Sequence, residues 1–232
     1  MSGKAFTVLI GCYGDFPDYS VRALRSVLDH AGPRLFEVLV GCNACGPATL
    51  RAARAALDAG DVAALVESRA NRNKDPMMRA LVGLVRTKYL LWMDDDSHFT
   101  DPRWPERVTA FLGAARFDVA GHVFYMHRSP EYRAFLRERP WWVGEDHYKD
   151  EDHRDRVWFA TGGLWMARTA FLRAHDFPDP AMTKMHDDLL LGDLVSQKQG
   201  TLIHFPDDLM AVLKISDGDR RGTGEASHWT NE

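Results

Sequence analysis

The chain of 232 residues is 45% hydrophobic and carries a formal net charge of −4. Its length suits one large α/β domain or two small ones, and its charge provides no global basic field for a nucleic-acid partner. No apolar run approaches the ~20 residues that cross a bilayer, and residues 1–5 lack the anatomy of a signal peptide. We therefore expect a soluble, cytoplasmic protein.

The first hundred residues alternate between short apolar segments and segments with helical periodicity. Strands are predicted at residues 6–11, 36–41, 62–67 and 89–93. The helices between them are predicted after a cap at Asp18 or Ser20, over 48–59, and over 77–86 with Asp75 as the cap. This order predicts a parallel, doubly wound sheet.

The second half of the chain is less regular. Helices are predicted at 104–115, 169–175 and 184–199, strands at 117–127 and 201–205, and a strand and turn at 157–167. The charged, aromatic residues 128–157 are interpreted as a surface excursion that serves as a mobile lid. We expect a single globular domain with halves at 1–98 and 99–232, ending in a flexible tail over about 216–232.

Three consecutive acids end the fourth predicted strand. The apolar run Tyr89–Met93 leads directly into Asp94, Asp95 and Asp96, and ligands of open α/β sheets bind beyond the carboxyl ends of strands. Three adjacent carboxylates repel one another, so a divalent cation, Mg²⁺ or Mn²⁺, is the expected partner. Side chains alternate along an extended chain, which points Asp94 and Asp96 one way and Asp95 the other. The alternative is a solvated acidic turn.

Other common sites fit the sequence poorly. The first turn, Gly11 to Gly14, is G-x-x-G without a third glycine, and Asn43 ends the second strand where a dehydrogenase has an acid. Neither a P-loop nor a G-x-S-x-G motif occurs. Three cysteines, an odd number, argue against a disulfide framework. The lone pair Cys42 and Cys45 is better explained as small buried residues than as a zinc site.

Four segments resemble the GT-A glycosyltransferases, and family 2-like members in particular. They are the opening strand Thr7–Tyr13, the loop Asn71–Asn73, the acids Asp94–Asp96, which look like a DxD motif, and Gly162–Met166 followed by Asp187-Asp188. The last two look like the family's acceptor loop and acidic pair. The resemblance implies a mostly parallel sheet flanked by helices, with a nucleotide-sugar-binding half at 1–98 and an irregular acceptor-binding half at 99–232. Departures are Gly11-Cys12 in place of a proline, Asn43 in place of an acid, and Asp-Asp as the acidic pair.

The resemblance also implies a donor and a metal. The donor would be a nucleotide diphosphate sugar, first of all a UDP-sugar, with Mn²⁺ or Mg²⁺ held by Asp94 and Asp96 and by a third ligand, His228 or His204. The other implied donor contacts are Gly11, Cys12, Tyr13, Asn43, Lys74, Arg79, Asp95, Trp165, Arg220 and Arg221. Lys74 and Arg79 are equally well explained as helix-surface charges, Tyr13 and Trp165 as core aromatics, and His228 as part of a disordered tail.

A general base is implied at the second acid pair. An acceptor hydroxyl needs a base in line with its attack on the anomeric carbon, and Asp188 is the first candidate, with Asp187 second. Inversion of the anomeric configuration follows from the family resemblance alone. Acids at a helix start are also common without any catalytic role, because the helix dipole favours them there.

The acceptor is left with two candidates. The strings Pro76–Arg79, Trp92–Ser97 and Arg220–Gly222 look like compact phage-type glycosyltransferases, which suggests a hydroxymethylated pyrimidine in DNA. A basic groove for DNA would come from Arg128, Arg133, Arg137, Arg139, Arg154 and Arg156. The net charge favours a saccharide instead, and no anchor suggests a membrane partner. A sugar-nucleotide nucleotidyltransferase and a non-catalytic nucleotide-sugar-binding module remain as alternatives.

Overall fold

A parallel sheet forms from the first four strands, as their alternation with helices predicts. The computed structural model describes residues 3–29, 35–182 and 187–214. Its first elements are β1 (Phe6–Tyr13), α1 (Pro17–Leu28), β2 (Phe36–Asn43), α2 (Pro47–Asp58), β3 (Ala64–Ser68), α3 (Lys74–Leu84) and β4 (Tyr89–Asp94). The strands are parallel in the order β3-β2-β1-β4. The carboxyl ends of β1, β2 and β4 therefore lie along one edge of the sheet.

The second half extends the same sheet with antiparallel pairing. Its elements are β5 (His98–Phe99), α4 (Trp104–Ala114), β6 (Val119–His127), α5 (Pro130–Arg137), a 3₁₀ turn (Glu145–His147), α6 (Glu151–Asp155), β7 (Arg156–Arg168), α7 (Thr169–Ala174), α8 (Asp187–Gln197), β8 (Leu202–His204), α9 (Asp207–Met210) and β9 (Leu213–Lys214). The seven strands take the order β3-β2-β1-β4-β7-β6-β8, and β7 runs antiparallel to β4 and β6. The short strands β5 and β9 form a separate pair.

Two apolar layers cover the sheet, one on each face. Neighbouring residues of β1 point to opposite layers, Val8 and Ile10 to one and Leu9 to the other, as the two-residue period of a strand requires. The run 89–93 is buried throughout, as expected for a strand covered on both faces. The sheet is thus a continuous core across both halves.

Two predicted helix caps are wrong. Helix α1 begins at Pro17, and its N-cap residue Phe16 makes no side-chain cap bond. Helix α3 begins at Lys74, so Asp75 lies inside its first turn, where it is buried and not capping. Propensity alone misplaced these caps because the Ser20 hydroxyl bonds to Asp95, which is distant in sequence, and Asp75 is buried inside the first turn.

The residues 128–157 are not a loose excursion. They contain α5, the 3₁₀ turn and α6, and Trp141 is buried in the layer that contains α8. The guanidinium of Arg128 is buried against Asp193 of α8, with Nε 3.1 Å from Oδ1, and Nη1 donates to the carbonyl oxygens of His153, Arg154 and Arg156. These buried contacts argue against a mobile lid.

The Gly162-Gly163 pair is not a turn. It lies inside the continuous strand β7, where the register with β6 shifts between Gly121 and Val123. The extra residues of β7 form a bulge at the carboxyl end of β4, and Ser97 donates its hydroxyl to the Gly163 carbonyl at 3.1 Å.

Three remaining predictions concern the cysteines, the membrane and the tail. Cys12, Cys42 and Cys45 are free thiols, and Cys12 and Cys42 are buried, as expected for structural residues. Within residues 3–29, 35–182 and 187–214, no helix is long and apolar enough to span a bilayer. The predicted start of the last long helix at 184 and the tail over 216–232 lie outside the described residues.

Candidate functional site

The acid motif Asp94–Asp96 lies at the carboxyl edge of the sheet, and its side chains point in two different directions. Asp94 is the last residue of β4, and Asp96 is half-buried two residues later. Asp95 is only 2% exposed and points the other way, where it accepts hydrogen bonds from the Tyr13 backbone N–H at 3.2 Å and from the Ser20 hydroxyl. Asp95 therefore fastens β1 to α1 and is not placed to contact a donor, which corrects its predicted role.

Two side chains orient the Asp94 carboxylate. The Trp92 indole N–H donates to Asp94 Oδ1 at 2.8 Å, and Lys74 Nζ donates to Oδ2 at 3.0 Å. Trp92 was not among the predicted site residues, although its position two residues before Asp94 puts both on one strand face. The indole lies over Gly11, where an added Cβ would come within 2.7 Å of the ring. Gly11 thus makes room for Trp92, and its role as a donor contact stays a prediction.

Lys74 joins this motif to the second acid pair. Its Nζ lies 3.0 Å from Asp187 Oδ2 as well as 3.0 Å from Asp94 Oδ2. Asp187 and Asp188 open α8, and Asp188 Oδ1 accepts from the Leu189 backbone N–H at 2.9 Å. The structure therefore brings together Lys74, Asp94, Asp187 and Asp188, four predicted site residues that three separate elements contribute.

The charges of this cluster shift one another's protonation. Burial raises the pKa of Asp94 to about 6, although Lys74 opposes the change. Burial and then Asp187 raise the pKa of Asp188 to about 7. Burial disfavours the charge on Lys74, but Asp187 and Asp94 outweigh it and raise the pKa of the ammonium. A carboxyl group that titrates near neutral pH is suited to exchange protons with a substrate.

The carboxylate oxygens at the end of β4 are ligands of the kind that a hard divalent cation prefers. Asp94 and Asp96 both offer carboxylate oxygens at the strand end, and the negative charge of Asp96 contributes to the raised pKa of Asp94. Among the described residues the one group of three close metal-ligating side chains lies elsewhere, on exposed Asp150 and Asp152 with His153. Asp94 and Asp96 are the residues that would hold Mn²⁺ or Mg²⁺, with water and phosphate oxygens completing the shell of the ion.

Neither predicted histidine is placed as a third ligand. His204 ends β8, which is three strands from β4 and hence about 14 Å away. Its Nδ1 accepts a hydrogen bond from the Val123 backbone N–H at 3.0 Å. His228 lies outside the described residues, as do Arg220 and Arg221. The prediction for His204 is therefore corrected, because its strand joins the sheet at the far edge.

Asn43 and Arg79 are committed to structural contacts. The Asn43 amide donates to Asn71 Oδ1 at 2.9 Å and to the Asn73 carbonyl at 3.1 Å, and its oxygen accepts from the Arg72 N–H at 2.8 Å. It holds the loop that precedes α3. Arg79 pairs with Asp176 at 2.8 Å and donates to the Pro178 carbonyl at 2.6 Å. Asn43 is buried and so is not placed to contact a donor, whereas Arg79 is 40% exposed and its donor contact stays a prediction.

Of the aromatic and cysteine side chains predicted to contact the donor, two are buried and one is exposed to solvent. Trp165 is fully buried and stacks on Trp92 at 6.3 Å, and Cys12 is also in the core, so both predicted donor contacts are corrected. Tyr13 is 39% exposed at the end of β1, with its ring against Phe16 at 5.7 Å. Tyr13 is therefore an open aromatic at the same sheet edge as Asp94.

Five of the six arginines suggested for a basic groove are engaged by other groups. Arg128 is buried against Asp193, and Arg139 is buried beside Asp179 at 3.5 Å. The other three pair with carboxylates at 3.0 to 3.6 Å: Arg133 with Glu145 and Asp155, Arg137 with Glu145, and Arg156 with Asp152. These arginines are therefore not a free cationic surface.

Comparisons with known proteins agree with this fold. The model of the family described as Glycosyl transferase family 2 matches residues 7–175. No curated protein matches significantly. A mannosyltransferase from Pyrobaculum calidifontis, PcManGT, solved with GDP-Man and Mn²⁺, has a TM-score of 0.63 at 17% identity, covering 94% of this chain and 58% of its own.

S. aureus TarS is similar in fold as well. The TarS structure has a TM-score of 0.63 at 15% identity, covering 92% of this chain and 37% of its own. TarS 1–349 with UDP-GlcNAc has a TM-score of 0.58 at 14% identity, covering 88% and 56%. This chain thus spans less than 60% of the length of each of these relatives. Because the family model covers well over half of the sequence, the chain belongs to glycosyl transferase family 2 and has the GT-A fold.

Proposed function

We propose that this protein transfers a sugar from a nucleotide diphosphate sugar to an acceptor hydroxyl. The observation that carries the proposal is the cluster of Asp94, Lys74 and Asp187, which joins an acid motif at a strand end to a second acid pair. Family membership supports glycosyl transfer over the nucleotidyltransferase and the non-catalytic module that the sequence left open.

The acid pair carries the proton transfer. Asp188 takes the proton of the acceptor hydroxyl as its oxygen bonds to the anomeric carbon. The bond from that carbon to the diphosphate breaks, and the diphosphate leaves with the electron pair. In-line attack of this kind inverts the anomeric configuration. The pKa of Asp188, raised to about 7, lets it act as a base at neutral pH.

The strand ends form the donor side of the site. Asp96 and Asp94 would hold Mn²⁺ or Mg²⁺, which supplies charge neutralisation to the departing diphosphate. Tyr13, exposed at the end of β1, would stack on the nucleotide base. The named relatives were solved with GDP-Man, UDP or UDP-GlcNAc, so we propose a UDP-sugar first and a GDP-sugar second.

We propose a saccharide as the acceptor. A DNA acceptor requires cationic side chains that meet phosphates, and the arginines proposed for that role mostly bind carboxylates of this chain. A hydroxymethylated pyrimidine in DNA remains the second candidate, and a transfer assay with both acceptors distinguishes them.

A thermal-shift panel tests the donor site. UDP-, GDP-, CDP- and dTDP-sugars are each added with Mn²⁺ and with EDTA, since a ligand of the native state raises its stability. We expect one nucleotide class to raise the Tm only with Mn²⁺. If none does, the proposed donor site is wrong.

Substitution of the base tests the reaction. Asp188→Asn should keep UDP and Mn²⁺ affinity and lower turnover about 10²- to 10⁴-fold, measured as release of UDP from the selected donor. Asp207→Asn, on the exposed start of α9, is the matched control and should leave turnover unchanged. Equal turnover in the two variants would remove Asp188 from the mechanism.

A further inference from the structure

One ammonium group lies between the two acidic parts of the site. Lys74 Nζ contacts Asp94 Oδ2 and Asp187 Oδ2 at 3.0 Å each, and it lies 5.7 Å from the centroid of the Trp92 ring. We propose, building on the function proposed above, that Lys74 is an internal counter-ion and not a donor ligand, that Asp187 is a positioning residue held by it, and that Asp188 is the general base.

The contacts of Asp187 and Asp188 differ in a way that assigns these roles. Asp187 is buried and its Oδ2 is paired with the ammonium. The ammonium occupies this oxygen, so it is not directed at an acceptor hydroxyl. Asp188 is half-buried and its recorded hydrogen bond is to the adjacent Leu189 N–H. Asp188 therefore keeps an open oxygen for an acceptor.

The ammonium also connects elements that are far apart in the sequence. Lys74 opens α3, Asp94 ends β4 and Asp187 opens α8. The Lys74 ammonium donates a hydrogen bond to Asp94 Oδ2 and forms an ion pair with Asp187 Oδ2. Because separating a half-buried charge from its partners is costly, the bridge holds the acid motif and the start of α8 at a fixed separation.

The charged groups around Asp188 predict opposite effects for two substitutions. Asp187 on its own helix and Asp94 on β4 raise the pKa of Asp188, whereas Lys74 on α3 lowers it. Asp75, also on α3, is electrostatically coupled to Asp188 as well. Removal of Lys74 should therefore move the titration of the base to higher pH, and removal of the Asp187 charge should move it to lower pH.

The test compares Lys74→Met, Lys74→Arg and Asp187→Asn in the full chain. Donor hydrolysis, in which water replaces the acceptor, gives kcat and its pH dependence, and calorimetry gives the affinity for UDP with Mn²⁺. We expect Lys74→Met to lower kcat about 10- to 100-fold and to keep UDP affinity within about threefold. In Lys74→Met the acidic limb of the kcat–pH profile should move to higher pH by about one unit. In Asp187→Asn it should move to lower pH, and in Lys74→Arg it should stay near the wild-type position.

Lys88→Met is the matched control. Lys88 is exposed at the opposite end of β4, where it packs on Tyr89, and its removal should change none of these quantities. Loss of UDP affinity in Lys74→Met with kcat retained would make Lys74 a donor ligand and overturn the proposal. The proposal would also be overturned if the acidic limb of the kcat profile stayed at the wild-type pH in both Lys74→Met and Asp187→Asn. A merely structural role of these two side chains would not shift it in either variant.

A double-mutant cycle of unfolding free energies, measured without ligands, tests this proposal independently of the proposed function. Urea unfolding of Lys74→Met, Asp187→Asn and the double variant should be clearly non-additive if the two side chains form a bridge. Additive effects overturn the bridge even if the enzyme is active. If no nucleotide sugar stabilises the protein but the unfolding effects are non-additive, the proposed function is wrong and the role of Lys74 as a counter-ion stands.

Discussion

At the scale of single residues, Asp75 is the least expected feature of the chain. It is 1% exposed in the first turn of α3, and neither carboxylate oxygen has a hydrogen-bond partner in the structure as described. Burial and then the charge of Asp187 raise its pKa to about 7. An acid that the sequence suggested as a helix cap is instead a buried group that carries a proton over part of the working pH range.

Replacement of Asp75 should make the protein more stable at high pH. The folded-state pKa lies above the unfolded value of about 3.9, so the folded state binds more protons between about pH 4 and pH 7 and loses stability as the pH rises through that window. Asp75→Asn removes this loss. We expect it to exceed the wild type by about 1–3 kcal/mol at pH 8, with a smaller difference at pH 4.5, in urea unfolding.

Exposed Asp58 provides the comparison for this measurement. Asp58→Asn, at the end of α2, should change stability by less than about 0.5 kcal/mol at either pH. A constant offset between Asp75→Asn and the wild type across this pH range would show that Asp75 does not titrate there.

At the scale of elements, the contact between β1 and β4 decides the direction of the acid motif. The two strands pair in parallel with Gly11 opposite Asp94. The missing side chain of Gly11 admits the Trp92 indole, whose N–H holds Asp94 Oδ1. One strand thus shapes the site through the space that it leaves for the side chain of its neighbour.

A methyl group at Gly11 should disturb this arrangement. In Gly11→Ala the new Cβ lies 2.7 Å from the indole, so the ring or the strand must shift at a cost of about 1–3 kcal/mol. We expect lower stability in urea unfolding and weaker binding of UDP with Mn²⁺ by calorimetry. Gly113→Ala in α4 has no atom within 4 Å of its Cβ and should be neutral or stabilising by about 0.5–1 kcal/mol. Equal behaviour of the two variants would contradict the role of Gly11.

At the scale of the whole molecule, α8 is fixed at two points. Its first residues belong to the site, and Asp193 in its middle receives Arg128, the Tyr132 hydroxyl at 2.8 Å and the Tyr148 hydroxyl at 3.3 Å. Arg128 also binds three backbone carbonyls of residues 153–156. The segment predicted as a lid therefore anchors the helix that carries the proposed base.

Loss of this anchor should affect both stability and turnover. Arg128→Met leaves Asp193 buried without its cation, which should cost about 3–5 kcal/mol in urea unfolding and lower donor hydrolysis through the displaced start of α8. Arg54→Met breaks an exposed pair with Glu67 and should cost less than about 1 kcal/mol. The double variant Arg128→Met with Asp193→Leu should recover part of the lost stability, and a double variant less stable than Arg128→Met would count against this account.

Local pattern determined most of the fold and the location of the acid motif. The apolar run Tyr89–Met93 and the helical spacing between the other runs are properties of neighbouring residues, so the parallel sheet and the acids at its carboxyl edge could be predicted. The same holds for the opposite directions of Asp94 and Asp95, because alternation along a strand is local. The family resemblance added the second acid pair.

Tertiary structure alone decided which of these residues meet. Lys74 reaches Asp187 only because α3 and α8 pack on the same face of the sheet, and Trp165 is buried because β7 inserts beside β4. Asn43, Arg79 and the arginines from 128 to 139 were plausible ligands by type, yet each bonds to a residue at least eight positions away. Arg156 is the exception, because its partner Asp152 lies only four residues earlier. Pairing of charges and burial of aromatics depend on contacts between distant segments, which no local pattern of one sequence contains.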